Sequence, residues 1–278
     1  MRNTGFPFQI LFLLILGFSF GQICHAQTGG RVPDNQLHYD RGAYHLKFKW
    51  LADSSNGFLE PQAALLLPVS FDGCKEVFYM QFDLGSPFTL MYSNKLVAIR
   101  SAYPDLLPAT DTNGLMTAFR IRVGSVPVII DTITSRPYQE NKVAKSSTKA
   151  SGKIFSPNII GTIGSDFIDN RVLTIDYSNS VISIDDEVSS QQLAANKFEK
   201  FIYANRSILL PVKINGRETV LFFDTGSSAF ELLTDKATAT SLSTPGRQTR
   251  KSALRSWDRI LTAYTTESDA EILMAEAT

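Results

Sequence analysis

Two acids of this chain stand in loops that would present them rather than leave them to solvent. Asp224 follows the apolar run Val220-Leu221-Phe222-Phe223 and is followed by Thr225, Gly226, Ser227 and Ser228, while Asp83 follows Phe82 and precedes Leu84, Gly85, Ser86 and Pro87. A glycine lets one backbone come close to another, and the hydroxyls of Ser86, Thr225 and Ser227 can hold a carboxylate in one orientation. Two carboxylates within about 3 Å cannot both ionise comfortably, so such a pair shares one proton over a broad acidic to neutral range. One acid then takes a proton while the other gives one, which is general acid–base chemistry.

Competing chemistries lack their residues. His25, His38 and His45 all precede the first acid, and the cysteines are Cys24 and Cys74. A Ser-His-Asp or Cys-His site would have to draw its base from the N-terminal approach, and no cluster has the spacing of a zinc site. We therefore expect no metal and no cofactor. Lys plus Arg number 27 and Asp plus Glu number 27, so the formal charge is zero and there is no electrostatic case for a nucleic acid or an anionic membrane as partner. The basic run Arg247 to Arg255 reads as a solvated face.

The acids belong to a longer repeat. Leu66-Leu67-Pro68-Val69 with Gly73 precedes Asp83 as Leu209-Leu210-Pro211-Val212 with Gly216 precedes Asp224. Downstream, Ser93-Asn94-Lys95 stands as far from Asp83 as Thr234-Asp235-Lys236 does from Asp224. The copies differ by about two residues between Gly and Asp, a length a hairpin turn tolerates. A duplicated unit, each copy giving one acid, follows.

The elements that must position the acids read as strands. Leu65 to Phe71 and Val77 to Phe82 form a hairpin around Asp72-Gly73, and the second strand ends on Asp83. Tyr44 to Trp50 alternates apolar and polar residues, and Phe88 to Tyr92 continues as strand. Asn94 to Ser101 suits a short helix, and Leu115 to Val123 with Val126 to Ile133 flanks the turn Gly124-Ser125. Val172 to Tyr177 and Val181 to Ile184 form a further hairpin. Thr134 to Pro157 reads as an exposed loop. In the second copy Ser252 to Tyr264 suits helix or strand, and Glu267-Ser268-Asp269 suits a hairpin turn.

Here the chain resembles the aspartic peptidases of the pepsin and retropepsin type. Their mark is Asp-Thr-Gly or Asp-Ser-Gly after an apolar strand, then, later in the lobe, two apolar residues and a Gly. Asp224-Thr225-Gly226-Ser227 has the first element, and Asn158-Ile159-Ile160-Gly161 has the second for the first lobe. The resemblance spans roughly Leu65 to Lys236. It implies an all-β, two-lobed acid protease barrel fold with a duplicated lobe, and an endopeptidase that hydrolyses polypeptide amide bonds.

In that reading Asp83 and Asp224 are the dyad and activate a water between them. Ser86 and Ser227 bond the outer carboxylate oxygens, Gly85 and Gly226 let the loops approach, and Ile160-Gly161 passes beneath the acid loop. Thr225 cross-braces the loops, a part that the family's Thr plays reciprocally in each lobe. Leu84 stands at the matching position and can neither donate nor accept. No second apolar pair with Gly appears before Thr278, so the second lobe reads as incomplete, through truncation or loss, or through strands borrowed from another chain. A non-enzymatic descendant that binds peptides or serves as a structural module is the alternative. A monomer is expected if the second lobe is complete and self-association otherwise.

Met1-Arg2-Asn3, the apolar run Phe6 to Phe20 and Cys24-His25-Ala26 read as a secretory signal cut after Ala26. A secreted or periplasmic protein, free of the membrane after cleavage, is the expectation. The organisation expected is a signal peptide over 1–26, a flexible leader over 27–43, a first lobe over 44–186, a linker over 187–206 and a partial second lobe over 207–278.

Overall fold

In a computed structural model of the chain, the described residues are 8–13, 33–53, 59–138, 158–227, 230–256 and 259–274. Ser228, residues 54–58, residues 139–157 of the expected loop Thr134 to Pro157 and the expected cleavage site at Ala26 lie outside them. The protein is all-β in the sense that strands dominate and its helices are short.

The chain begins with β1 (Phe8–Leu13), β2 (Leu37–His38), β3 (Tyr44–Lys47) and β4 (Lys49–Asp53). The first repeat follows: β5 (Glu60–Ser70), β6 (Phe78–Phe82), β7 (Leu90–Tyr92) and helix α1 (Ser93–Ala102). It continues through β8 (Leu115–Val123), β9 (Val126–Arg136) and β10 (Ile159–Ile163), then β11 (Val172–Asp176) and β12 (Val181–Asp185). Helix α2 (Ser190–Ala195) carries a capping box from Ser189 and Gln192. The second repeat has β13 (Ile202–Ala204), β14 (Ser207–Ile214), β15 (Arg217–Phe222), β16 (Leu232–Thr234) and helix α3 (Lys236–Leu242). Strands β17 (Arg250–Ser256), β18 (Arg259–Ser268) and β19 (Ile272–Met274) complete the described chain.

The first repeat builds one large sheet in the order β2-β9-β7-β10-β6-β5-β4, with β8 pairing β5 and β9. β6 lies between β5, antiparallel, and β10, parallel. Its residues Phe78, Met80 and Phe82 are almost wholly buried. They belong to one core with Leu65, Leu67 and Ile160. The stretch Tyr44 to Trp50, expected as one strand, divides at Phe48: β3 joins β12 in a small sheet with β11, whereas β4 joins β5.

The second repeat is more open. β14 pairs β13, β15 and β19 in one sheet, and a second sheet runs β16-β1-β18-β17. Asn215 and Gly216 both have positive φ, 49° and 78°, in the two-residue turn between β14 and β15, the conformation that such a hairpin requires. Ser252 to Ser256 and Arg259 to Tyr264 are paired antiparallel strands, not a helix. The expected hairpin at Glu267-Ser268-Asp269 does not form, because β19 leaves β18 and pairs with β14. The buried core here is small, Leu232 and Ala239 with Ile214, Leu221, Leu242, Tyr264 and Ile272 packed against them.

Two N-terminal expectations meet the structure differently. Phe8–Leu13, part of the run Phe6 to Phe20 read as the apolar middle of a signal, is a strand here, parallel to β16 and antiparallel to β18. The leader, expected to be flexible, is held from Pro33 onward: Pro33 O accepts from Arg206, Asn35 Nδ2 donates to Asp166 O, and Leu37 is buried where β2 pairs β9. Among the described residues no helix is long and apolar enough to cross a membrane.

Candidate active site

Each acid leaves the end of an apolar strand. Asp83 follows β6, and its N–H donates to Ile163 O of β10 at 2.9 Å. Asp224 follows β15 by way of Phe223, whose N–H donates to Ile208 O at 2.9 Å. A turn after each acid then brings the two loops face to face. Ser86 N–H donates to Asp83 Oδ1 at 3.1 Å, and Gly226 N–H donates to Asp224 Oδ1 at 2.7 Å.

The approach is reciprocal. A Cβ added at Gly85 would lie 2.4 Å from Asp224 Cγ, and one added at Gly226 would lie 2.4 Å from Asp83 Cγ. Each carboxyl therefore rests on the other loop's glycine, in space that a methyl group would fill. The two carboxyls are hydrogen-bonded to each other. Burial pushes the Asp83 carboxyl up to about 7, the Asp224 charge and the bond to it add to that rise, and the Gly85 and Ser86 amides oppose it. A bonded pair of this kind holds one proton between two seats, and Asp83 is the seat that burial favours.

Thr225 is buried and bridges the loops. Its Oγ1 accepts from Leu84 N–H at 2.9 Å and donates to Phe82 O at 3.0 Å. Leu84 is 1% exposed and packs into the core of the first half, so it returns no such bond. A second tie comes from Gln81, whose Nε2 donates to Gly226 O at 2.9 Å. Gln81 is a residue that the sequence reading passed over. Its signal was a polar side chain in the apolar run before Asp83, where the other repeat has Phe222.

Two expected roles need correction. The Ser86 hydroxyl donates to Phe88 O at 2.7 Å, so Ser86 serves Asp83 through its amide and not through its side chain. Ser227 bonds through its carbonyl, which accepts from Phe230 N–H at 3.4 Å, and among the described residues no bond joins its hydroxyl to a carboxylate. For Ser86 the competing acceptor is a carbonyl two residues away, Phe88 O. Ile160 is fully buried, and Gly161 sits where a Cβ would lie 2.3 Å from Leu90 O and 2.7 Å from Met80 Cε. Gly161 thus allows β10 to fit between β6 and β7, and Ile163, two residues on, meets the acid's backbone.

Among the described residues no three His, Cys, Asp or Glu side chains gather as metal ligands. A shallow depression of about 220 Å³ lined by His38, Asp72, Arg120 and Arg122 lies apart from the acids and contains none of the residues above. The chain matches no protein-family model and no curated protein.

Proposed function

We propose that this protein is an aspartic-type endopeptidase with a two-lobed, pepsin and retropepsin-like architecture, secreted or periplasmic, that hydrolyses polypeptide amide bonds. The observation that carries the reading is the reciprocal seating of Asp83 on Gly226 and Asp224 on Gly85, with the two carboxyls bonded and Asp83 raised to about 7. A water held between the acids loses a proton to the ionised member and attacks the scissile carbonyl carbon. The protonated member hydrogen-bonds or protonates the carbonyl oxygen, and the tetrahedral intermediate collapses as the amine leaves with a proton. The pair ends as it began, with one proton, so no other group need supply or remove one.

With Asp83 raised to about 7, the basic limb of the pH–rate profile is expected near 7. The test is hydrolysis of a denatured polypeptide between about pH 3 and 7 by the full chain, by Asp83→Asn and by Asp224→Asn. Cleavage that both variants lose, and that a statine-type inhibitor blocks, supports the proposal. An inactive wild-type protein that still binds the inhibitor or an unfolded peptide instead supports the second reading, a peptide-binding module. The observation favouring that reading is the one-sided brace, with buried Leu84 opposite Thr225.

A further inference from the structure

The dyad makes no use of the most buried carboxylate among the described residues of the first half. Asp166 is 5% exposed and lies on a single 3-10 turn, Ser165–Ile168, that follows β10. An acid placed only to stabilise its own turn bonds the turn's own amides. Asp166 reaches elsewhere: Oδ2 accepts Thr89 N–H at 2.8 Å and Oδ1 accepts the Thr89 hydroxyl at 2.7 Å. Thr89 Oγ1 in turn accepts Gly164 N–H at 3.1 Å. The buried Thr89 hydroxyl thereby both donates and accepts while its backbone N–H donates to the same carboxylate, which fixes Thr89 in a single rotamer.

The turn also fits flush against the loop that carries Asp83. Ser165 N–H donates to Ser86 O at 2.8 Å, and the Ser165 hydroxyl lies 3.2 Å from Ser86 O and 2.6 Å from Arg206 O. A Cβ at Gly164 would stand 2.5 Å from Phe88 C and 2.7 Å from Ser86 O. The segment Ser86 to Thr89 is therefore held at both ends from beneath, and its first amide is the donor to Asp83 Oδ1. The groups that act on Asp166 electrostatically are Thr89, Arg206 and Asp169, and Asp166 acts on Tyr39 and Tyr203. Burial raises its carboxyl to about 6 against the lowering effect of Thr89 and Arg206.

We propose that Asp166 is a positioning residue for the acid pair: by clamping Thr89 it fixes the Ser86 amide and, through it, the orientation of the Asp83 carboxyl. The inference rests on the peptidase reading for its kinetic consequence and on geometry alone for its structural one. The experiment compares the full chain with Thr89→Val, Thr89→Ser and Asp166→Asn on a denatured polypeptide across the acid to neutral range. Thr89→Val and Asp166→Asn are expected to lower kcat about 10- to 100-fold, KM staying within about threefold, because the loss is one of orientation. Their basic limb moves to lower pH, since a loosened loop admits water to Asp83 and removes part of the burial that raises it. Thr89→Ser restores both.

Equal kcat per inhibitor-titrated molecule and an unmoved limb in all variants would overturn the proposal, whatever happened to their melting temperatures. The Asp83 carboxyl carbon, followed by NMR through a pH titration, reads the same clamp without turnover. A midpoint that falls in Thr89→Val and returns in Thr89→Ser supports the clamp even if wild type cleaves nothing, and a midpoint common to all three sinks it. Failure of the peptidase reading thus shows as absent hydrolysis, and failure of the clamp as an invariant Asp83.

Discussion

The two halves deliver matching acids from unequal frames. Asp83 leaves a strand with a neighbour on each edge, β5 on one side and β10 on the other. Asp224 leaves β15, which among the described residues pairs with β14 alone. Tyr79 is 9% exposed, whereas Val220 at the matching position is 49% exposed and Phe222 is 48% exposed. The bonds that seat the second acid's loop come largely from the first half: Leu84 and Phe82 to Thr225, and Gln81 to Gly226. The second acid is thus positioned by the first half's frame as much as by its own sheet.

That dependence is sharpest at the glycines. Gly85→Ala and Gly226→Ala each put a methyl carbon at 2.4 Å from the opposing carboxyl carbon, so either must drive the acids apart. Both are expected to cost at least about a thousandfold in kcat/KM, since the acids act as one unit. Activity within tenfold of wild type in either variant would break the claim that the two loops are seated on each other. A circular dichroism spectrum with unchanged strand content would show that the loss is local.

Next in size is the contrast between the strands. Pro68 faces Tyr79 in the first half and Pro211 faces Val220 in the second. A proline has no N–H, so neither pair can be the one that exchanges two bonds, and the Tyr79 and Val220 amides point away from the proline strand. In β6 that amide finds a partner, Asn158 O at 3.0 Å. Val220 has no described partner on that side. Hydrogen exchange should therefore be about 100-fold or more slower at Tyr79 than at Val220. Equal protection would mean that a strand covers the β15 edge in solution, and the two halves would be alike after all.

Smaller effects separate the two ties between the acid loops. Thr225→Val leaves the buried Leu84 N–H without its acceptor, a cost of about 1–3 kcal/mol, and should lower kcat about 10- to 100-fold. Gln81→Leu removes one half-buried bond, about 1 kcal/mol, with an effect of about fivefold. If Gln81→Leu proved the more damaging, the brace would lie in the strand before Asp83 and not in the Thr225 hydroxyl. Steady-state kinetics on both variants decides.

Much of the first half was legible because its signals are local. The Asp72-Gly73 and Gly124-Ser125 turns, the alternating strands and the apolar run into Asp83 each need only neighbouring residues to be read. Long-range pairing was not legible. Nothing in Ile272-Leu273-Met274 says that it will leave β18 for β14, and an apolar run such as Phe8–Leu13 serves as well for a signal as for a strand. The acids themselves were found from loop chemistry, whereas Gln81, Thr89 and Asp166 act through contacts 145 and 77 residues apart in sequence, beyond any spacing rule. The Ser86 hydroxyl was misjudged for the opposite reason, since a carbonyl two residues away, Phe88 O, claims it.

The smallest effect tests the proton itself. Folded Asp83 keeps its proton to about 7, while an unfolded aspartate loses it near 3.8. Between those values the native state binds the extra proton, so wild-type stability falls as pH rises through that window, and below it the contribution vanishes. Asp83→Asn has no proton to hold. It should therefore gain on wild type in Tm steadily from about pH 4 to about 7 and gain nothing further above. Asp166, raised to about 6, has the same sign but is present in both proteins and cancels from the difference. Asp224→Asn removes its charge from beside Asp83 but leaves the burial that is the larger cause, so the wild-type slope should shrink in that variant without disappearing. Parallel Tm–pH curves for Asp83→Asn and wild type would mean that Asp83 ionises as an exposed carboxylate does, and the two halves would then hold two independent acids in place of one shared proton.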